Sequence, residues 1–136
     1  MLNLVMLVDE DDIDLLINER IIKKAGFADR IIKFDSSQSA LDYLKEQANT
    51  PENIPELAFL DINMPIMNGF DFMDAYQSYP LKVQEKCKII MLSSSIHPDD
   101  VKKAEAYPQC LKYMNKPLGK AVLEVLLPEV QALKGN

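Results

Sequence analysis

The sequence predicts an α/β protein built on an open, doubly wound, five-stranded parallel sheet. Short apolar runs rich in Leu, Ile, Val, Met and Phe alternate along the chain with longer amphipathic stretches. Such near-continuous apolar runs are typical of parallel strands that helices cover on both faces. Right-handed crossovers then give the strand order 2-1-3-4-5, with the first and third strands at the switch point where such sheets bind ligands.

The strands and helices follow from the spacing of apolar residues. Strands are expected at residues 4–8, 30–34, 57–60, 88–92 and 111–114. Five helices are expected, at residues 12–25, 37–47, 70–79, 99–107 and 119–133. In the first helix, Ile13, Leu16, Ile17 and Ile21 share one face, and Gly26 follows as a stop.

Serine and proline residues mark several of the boundaries. The serines before Ala40 can cap the second helix, and two prolines indicate a loop over residues 49–55. Pro80 and Pro108 are expected to end the third and fourth helices. Pro128 falls inside the fifth helix, which predicts a kink, a break or an early end there.

Composition excludes several classes of function. The chain has 136 residues, 48% of them hydrophobic and 26% charged, which is typical of one soluble globular domain. The net charge of −6 argues against general nucleic-acid binding. No apolar stretch is long enough for membrane insertion, and the N-terminus lacks the basic region of a signal peptide. Cys87 and Cys110 lack metal-ligand spacing, so they are interpreted as reduced thiols in the cytoplasm.

Polar side chains stand at the ends of four different predicted strands. Asp9 and Glu10 follow the first, Asp61 the third, Ser93 the fourth and Lys116 the fifth. Because parallel strands end at one edge of the sheet, these groups are expected to converge. Each alone is common in a loop or cap, but their joint placement indicates a site for a divalent cation and a phosphoryl group.

Mg²⁺ suits this set, because it binds through one or two carboxylates, several waters and phosphate oxygens. Asp61 is then either a metal ligand only, or a ligand and also the nucleophile that forms an aspartyl-phosphate. Ser93 and Lys116 are candidates for contacts to the phosphoryl oxygens. Further acids in the first helical turn, including Asp14, are interpreted as residues favoured by the helix dipole rather than as catalytic groups.

With these residues in place, the chain resembles the receiver domain of two-component response regulators, which has the flavodoxin-like fold. The resemblance rests on four segments, which are Leu-Val-Asp-Glu-Asp-Asp at 7–12, Phe-Leu-Asp-Ile-Asn-Met-Pro-Ile-Met-Asn-Gly-Phe at 59–70, Met-Leu-Ser-Ser-Ser at 91–95 and Tyr-Met-Asn-Lys-Pro at 113–117. The segments occur in the family's order and span essentially the whole chain. A serine at 93 stands where threonine is common, which preserves the hydroxyl.

The resemblance implies a role for each of these residues. Asp61 would be phosphorylated by a sensor histidine kinase or a histidine phosphotransfer protein. The Mg²⁺ ligands would be Asp9 or Glu10, Asp61 and the backbone carbonyl of Asn63, with Asp9 favoured because Glu10 stands where the shorter aspartate is frequent. Lys116 would contact the phosphoryl group.

The resemblance also implies how the signal would leave the domain. Ser93 and Tyr113 would form the switch pair, and the signal would pass to an unknown downstream protein by conformational change or by phosphorelay. Residues 1–136 are expected to form one stand-alone receiver domain without an output domain. Such a protein is not a conventional enzyme, although it catalyses its own phosphorylation and dephosphorylation.

Two other functions share this set of residues. A haloacid-dehalogenase-type phosphohydrolase would use Asp9 as its nucleophile, in an Asp-x-Asp pair with Asp11. A docking domain of the same fold would act without phosphorylation, but it would be expected to have a broken acceptor site. The choice of nucleophile, Asp9 or Asp61, separates the hydrolase from the receiver.

Overall fold

The computed structural model describes residues 1–94 and 96–134. Ser95, the last residue of the segment 91–95 that supports the family resemblance, therefore lies outside the described residues. The strands form one sheet in the order β2-β1-β3-β4-β5, and every neighbouring pair is parallel. Their bounds are β1 Leu2–Val8, β2 Ala28–Phe34, β3 Leu57–Asp61, β4 Lys88–Ser93 and β5 Cys110–Asn115. The predicted fold class and strand order are confirmed.

The described residues form six helices rather than the five predicted. They are α1 Asp12–Lys24, α2 Ser37–Glu46, α3 Gly69–Tyr76, α4 Leu81–Lys86, α5 Pro98–Glu105 and α6 Lys120–Lys134. The helix missing from the prediction is α4, because Pro80 was interpreted only as the end of α3. Pro80 is in fact the N-cap of α4. Proline suits the start of a helix, where a backbone N–H has no intrahelical partner.

Two apolar cores lie on opposite faces of the sheet. The first core packs strand residues such as Met6, Leu60 and Met91 against α2 and α3, with Ala104 of α5 also buried there. The second packs alternate strand residues against α1 and α6. Since successive side chains of a strand point to opposite faces, all three central strands contribute to both cores. No helix of the described part is long and apolar enough to cross a membrane.

Most of the predicted apolar face of α1 does not pack on the sheet, and of its four residues only Ile21 contacts the second core. The buried residues of α1 are Leu15, Asn18 and Ile22. Ile13, Leu16 and Ile17 are 68%, 43% and 41% exposed, respectively. The helix accepts a buried asparagine in its packed stripe, and that polar residue hid the correct face from an analysis of apolar spacing. An apolar patch of three side chains therefore faces outward.

Of the kink, break or early end expected at Pro128, the break and the early end are wrong. Helix α6 continues through Pro128 to Lys134. Leu123, Leu126 and Val130 are buried on both sides of the proline, so packing against the second core holds the helix together. That packing compensates for the hydrogen bond that proline cannot donate.

A buried tyrosine joins α3 to α4. Tyr76 is fully buried, and its hydroxyl lies 2.8 Å from the carbonyl oxygen of Cys87 and 3.2 Å from that of Val83. Burial raises the pKa of Tyr76, and the neighbouring Cys87 thiol acts in the same direction. The hydroxyl thus stays protonated and donates to carbonyl groups at the end of α4.

We expect Tyr76→Phe to lower the free energy of unfolding by about 1–2 kcal/mol, because the buried carbonyl of Cys87 loses the Tyr76 donor, whereas that of Val83 still accepts from the N–H of Cys87. Tyr79→Phe is the matched control. The Tyr79 hydroxyl donates to the carbonyl of Leu41 at 2.9 Å but is only partly buried, so water can replace it and the loss should be smaller. Urea denaturation of the three proteins measures both values. Equal losses would contradict the proposed role of burial.

Candidate functional site

Three charged residues from the predicted set meet at the carboxyl edge of the sheet. Asp9 directly follows β1 and Asp61 ends β3, and the pairing of Val8 with Leu60 brings the two carboxylates to neighbouring positions. Lys116 follows β5 and reaches across to both. Its Nζ lies 2.7 Å from Oδ2 of Asp9 and 3.3 Å from Oδ1 of Asp61.

Asp9 is fixed from several directions. Its backbone N–H donates to the carbonyl of Phe34 at 3.0 Å, which extends the pairing of β1 with β2. Its Oδ1 accepts from the N–H of Asp11 at 3.0 Å, while Oδ2 accepts from Lys116. The residue is only 3% exposed. Both carboxylate oxygens of Asp9 are therefore engaged by groups of the protein.

A third carboxylate, which sequence reasoning missed, also contacts the lysine. Oδ2 of Asp14 lies 3.1 Å from Lys116 Nζ. Asp11 caps α1 by accepting from the N–H groups of Ile13 and Asp14, and so fixes the first turn directly beside the sheet edge. Asp14 lies one turn before the buried Asn18, on the same side of the helix. That spacing was the signal that could have revealed its inward position.

Electrostatics divide these charged groups. Burial raises the pKa of Asp61 to about 6, the charge of Asp9 acts in the same direction, and Lys116 opposes both. For Lys116, burial disfavours the charged ammonium, but hydrogen bonds to Asp9 and Asp14 and the charge of Asp61 outweigh it, so its pKa is raised. Around neutral pH the site therefore holds a charged lysine and an Asp61 carboxylate that binds a proton more readily than usual.

The loop after Asp61 turns back tightly on β3. The N–H of Asn63 donates to Oδ1 of Asp61 at 3.2 Å, and the N–H of Gly69 donates to the carbonyl of Ile62 at 3.0 Å. A Cβ at position 69 would lie 2.9 Å from Cα of Ile62 and 3.1 Å from the carbonyl oxygen of Asp61. Only glycine fits this approach without a shift of the backbone. Ile66, at the exposed tip, has a φ of 67°.

The structure does not bring Glu10 into the group around Lys116. Its side chain is exposed and borders a surface groove of about 410 Å³. The groove lies between the start of α2, at Ser36 and Ser37, and the loop that contains Met64 and Pro65. The sequence placed Glu10 at the correct edge of the sheet, but its side chain points away from the group around Lys116.

Ser93 and Tyr113 lie on the neighbouring strands. Ser93, at the end of β4, is 2% exposed, and its carbonyl oxygen accepts from the N–H of Lys116 at 2.8 Å. Tyr113 is half-buried, and its enclosed hydroxyl makes no hydrogen bond to any residue in the two described ranges. It borders a cavity of about 150 Å³ between α5 and β5, beside Val101 and Ala104.

The carboxylate oxygens of this site suit a hard cation that needs only a few ligands from the protein. Two buried carboxylates already surround one positive charge, that of Lys116. Within residues 1–94 and 96–134, no three His, Cys, Asp or Glu side chains are grouped so that they could hold a metal ion by themselves. Mg²⁺ does not need such a group, because it retains several waters.

Comparison with known proteins decides the family. The response regulator receiver domain family matches residues 5–127 of the chain. This chain belongs to the response regulator receiver family. Receivers are signalling domains rather than conventional enzymes, and they act as phosphoacceptor switches in two-component systems. Receivers interact with histidine kinases or phosphotransfer proteins and generally bind Mg²⁺ at their acidic site.

Solved and curated relatives extend over nearly the whole receiver. A two-component response regulator from Cytophaga hutchinsonii is 31% identical, with 96% of this chain and 98% of that chain covered and a TM-score of 0.89. A response regulator receiver protein from Dyadobacter fermentans is also 31% identical, with coverage of 94% and 97% and a TM-score of 0.84. The probable methanogenesis regulatory protein FilR2 of Methanothrix harundinacea is 23% identical, covering 94% of this chain and 81% of that protein.

We expect Asp61→Asn to stabilise the protein at pH 8 in the presence of EDTA. The pKa of Asp61 in the folded protein, about 6, lies above the ordinary aspartate value of 3.8, so the ionised carboxylate disfavours folding. Removing the charge should raise the free energy of unfolding by about 1–2 kcal/mol, after allowance for solvent screening.

The gain should be complete above pH 6, shrink as the pH falls through 6, and disappear near pH 4, where Asp61 is protonated in both states. Urea denaturation across this range tests it. Asp29→Asn, at an exposed position of β2, is the control and should show no such dependence. A variant that is less stable than wild type at pH 8 would contradict the sign.

Proposed function

We propose that Asp61 accepts a phosphoryl group from a sensor histidine kinase or a histidine phosphotransfer protein. The observation that carries this proposal is the position of the Asp61 carboxylate, which is buried at the sheet edge with Lys116 Nζ 3.3 Å from its Oδ1. Membership of the receiver family supports the same role. It also argues against the haloacid-dehalogenase alternative.

The contacts of Asp61 favour one of its oxygens as the nucleophile. Its bonds to Asn63 and Lys116 both go to Oδ1, which leaves Oδ2 to attack phosphorus. The new bond joins Oδ2 to phosphorus while the bond between phosphorus and the donor histidine nitrogen breaks, and that nitrogen keeps the electron pair. The raised pKa of Asp61 makes its carboxylate more basic, which favours attack as long as the group is deprotonated.

Asp9, Asp61 and the backbone carbonyl of Asn63 are the proposed Mg²⁺ ligands, and the exposed Glu10 would act through water. When bound, Mg²⁺ would neutralise the phosphoryl charge and orient its oxygens for in-line transfer. Lys116 would donate to a phosphoryl oxygen, replacing part of its contact with the carboxylates. The tight turn at Gly69 holds the Asn63 segment against β3 and so supports its place in this set.

The exposed apolar patch of α1 supports a protein as the phosphoryl donor. Ile13, Leu16 and Ile17 lie on the helix whose first turn reaches Lys116 through Asp14. A contiguous exposed apolar patch beside a reactive group is typical of a protein contact. A small phosphate donor would have no use for it.

We expect acetyl phosphate to phosphorylate the wild-type protein in the presence of Mg²⁺, adding one phosphoryl group by intact-mass spectrometry. EDTA should abolish the addition. Asp61→Asn should remain unmodified, because an amide is a poor nucleophile, while Asp29→Asn should react like wild type. Modification of Asp61→Asn, or a phosphoryl group located on Asp9, would reject the proposed acceptor. If acetyl phosphate modified Asp61 but no histidine kinase or phosphotransfer protein phosphorylated it, the docking alternative would be favoured.

Ser93 and Tyr113 are the proposed switch that carries the signal to a downstream protein. The Ser93 hydroxyl would donate to a phosphoryl oxygen, and the loop after β4 would move with it. Tyr113 would then occupy the space behind. Two features support this movement. The enclosed hydroxyl of Tyr113 has no hydrogen-bond partner among the described residues, and a cavity of about 150 Å³ lies beside the ring, so a second ring position would cost little.

We expect Ser93→Ala to separate phosphorylation from the movement of Tyr113. The nucleophile, Mg²⁺ and Lys116 all remain, but the hydrogen bond from the Ser93 hydroxyl to the phosphoryl group is lost. Amide chemical shifts with beryllofluoride and Mg²⁺ provide the measurement. Wild type should change around Asp61 and also along α5 and β5, whereas Ser93→Ala should change mainly around Asp61. Ser93→Thr keeps the hydroxyl and serves as the control. Equal changes at Tyr113 in wild type and Ser93→Ala would exclude Ser93 as the switch.

A further inference from the structure

The ammonium group of Lys116 is surrounded by carboxylates in the resting site. It donates hydrogen bonds to Asp9 at 2.7 Å and to Asp14 at 3.1 Å, and it forms an ion pair with Asp61 at 3.3 Å. An ammonium has three N–H donors and no acceptor. Two of the three donors are therefore engaged by Asp9 and Asp14, and a phosphoryl oxygen must compete with these carboxylates for the ammonium.

The three carboxylates are not equally easy to release. The side chains of Asp9 and Asp61 are each 5% exposed, whereas that of Asp14 is 37% exposed. A carboxylate that loses its partner must be rehydrated, which costs least where water already reaches it. Asp9 and Asp61 are also the proposed metal ligands, so they have to stay in place. Asp14 is the contact that can be surrendered.

We propose that Asp14 is a positioning residue that holds Lys116 in the resting site and competes with the incoming phosphoryl group for its ammonium. The inference rests on the proposed phosphorylation of Asp61. Asp14 thereby sets how readily Asp61 becomes phosphorylated. The capping of α1 by Asp11, which accepts from the N–H of Asp14, fixes the backbone from which the Asp14 side chain reaches the lysine.

Asp14→Asn should tighten the binding of beryllofluoride in the presence of Mg²⁺ by about two- to fivefold, the scale of a partly exposed ion pair. Asp12→Asn is the matched control. Asp12 and Asp14 both lie in the first turn of α1, so both variants remove the same charge from the same helix end, but no ion pair joins Asp12 to Lys116. Asp14→Glu keeps the charge and should bind much as wild type does.

The titration is followed by ¹⁹F NMR of the bound fluoride and by the ¹⁵N shift of the Lys116 ammonium. In the resting protein, Asp14→Asn should move the Lys116 signal and Asp12→Asn should not. With beryllofluoride bound, the Lys116 signals of all the proteins should coincide, because the contact with Asp14 has then been given up. Melting curves confirm that each variant is folded, and Asp14→Ser replaces Asp14→Asn if the latter is not.

Each other outcome has a definite meaning. If Asp12→Asn and Asp14→Asn tightened the binding of beryllofluoride equally, the inference would be overturned. The effect would then come from the overall negative charge at the start of α1. Weaker binding by Asp14→Asn would also overturn it, since Asp14 would then prepare Lys116 for the phosphoryl group. If wild type itself failed to bind beryllofluoride at Asp61, the proposed function would fail. If wild type bound it and the variants did not differ from wild type, only the inference about Asp14 would be overturned.

Discussion

Lys116 supplies one positive charge to three carboxylates that arrive from different parts of the chain. Without that charge, Asp9 and Asp61 would face each other across neighbouring strands with little water to screen them. Burial raises the pKa of Asp61, and the repulsion from Asp9 adds to this effect. The site is therefore stable enough to form but remains under electrostatic strain, which an added cation relieves.

The parallel sheet makes this arrangement possible. Its central strands are buried on both faces, so their ends are fixed by the two cores and cannot separate in response to the repulsion. The loop after Asp61 is anchored by the close approach of Gly69, and the segment before Lys116 by the bond from its N–H to Ser93. Packing thus holds in place a group of charges that would not assemble by its own attraction.

The sequence predicted what depends on local pattern and topology. Apolar runs located the strands, and the crossover rule then placed Asp9, Asp61 and Lys116 together. It missed what depends on side-chain direction. The ion pair of Asp14 depends on how far a lysine reaches across two loops, and the outward orientation of Glu10 depends on the backbone of a single residue. The correct face of α1 and the continuity of α6 were decided by packing that overrode a local signal. The start of α4 was missed because Pro80, its N-cap, was interpreted only as a helix end.

The division of the core into two halves has a consequence for how such a protein can change over generations. Asp14 and the first turn of α1 belong to the half that contains α6, whereas Tyr113 packs against the half that contains α5. On the roles proposed for Asp14 and Tyr113, substitutions that adjust how readily Asp61 is phosphorylated would lie on one side of the sheet, and those that adjust what the phosphorylated protein binds would lie on the other. The two properties could then be selected independently in one small domain.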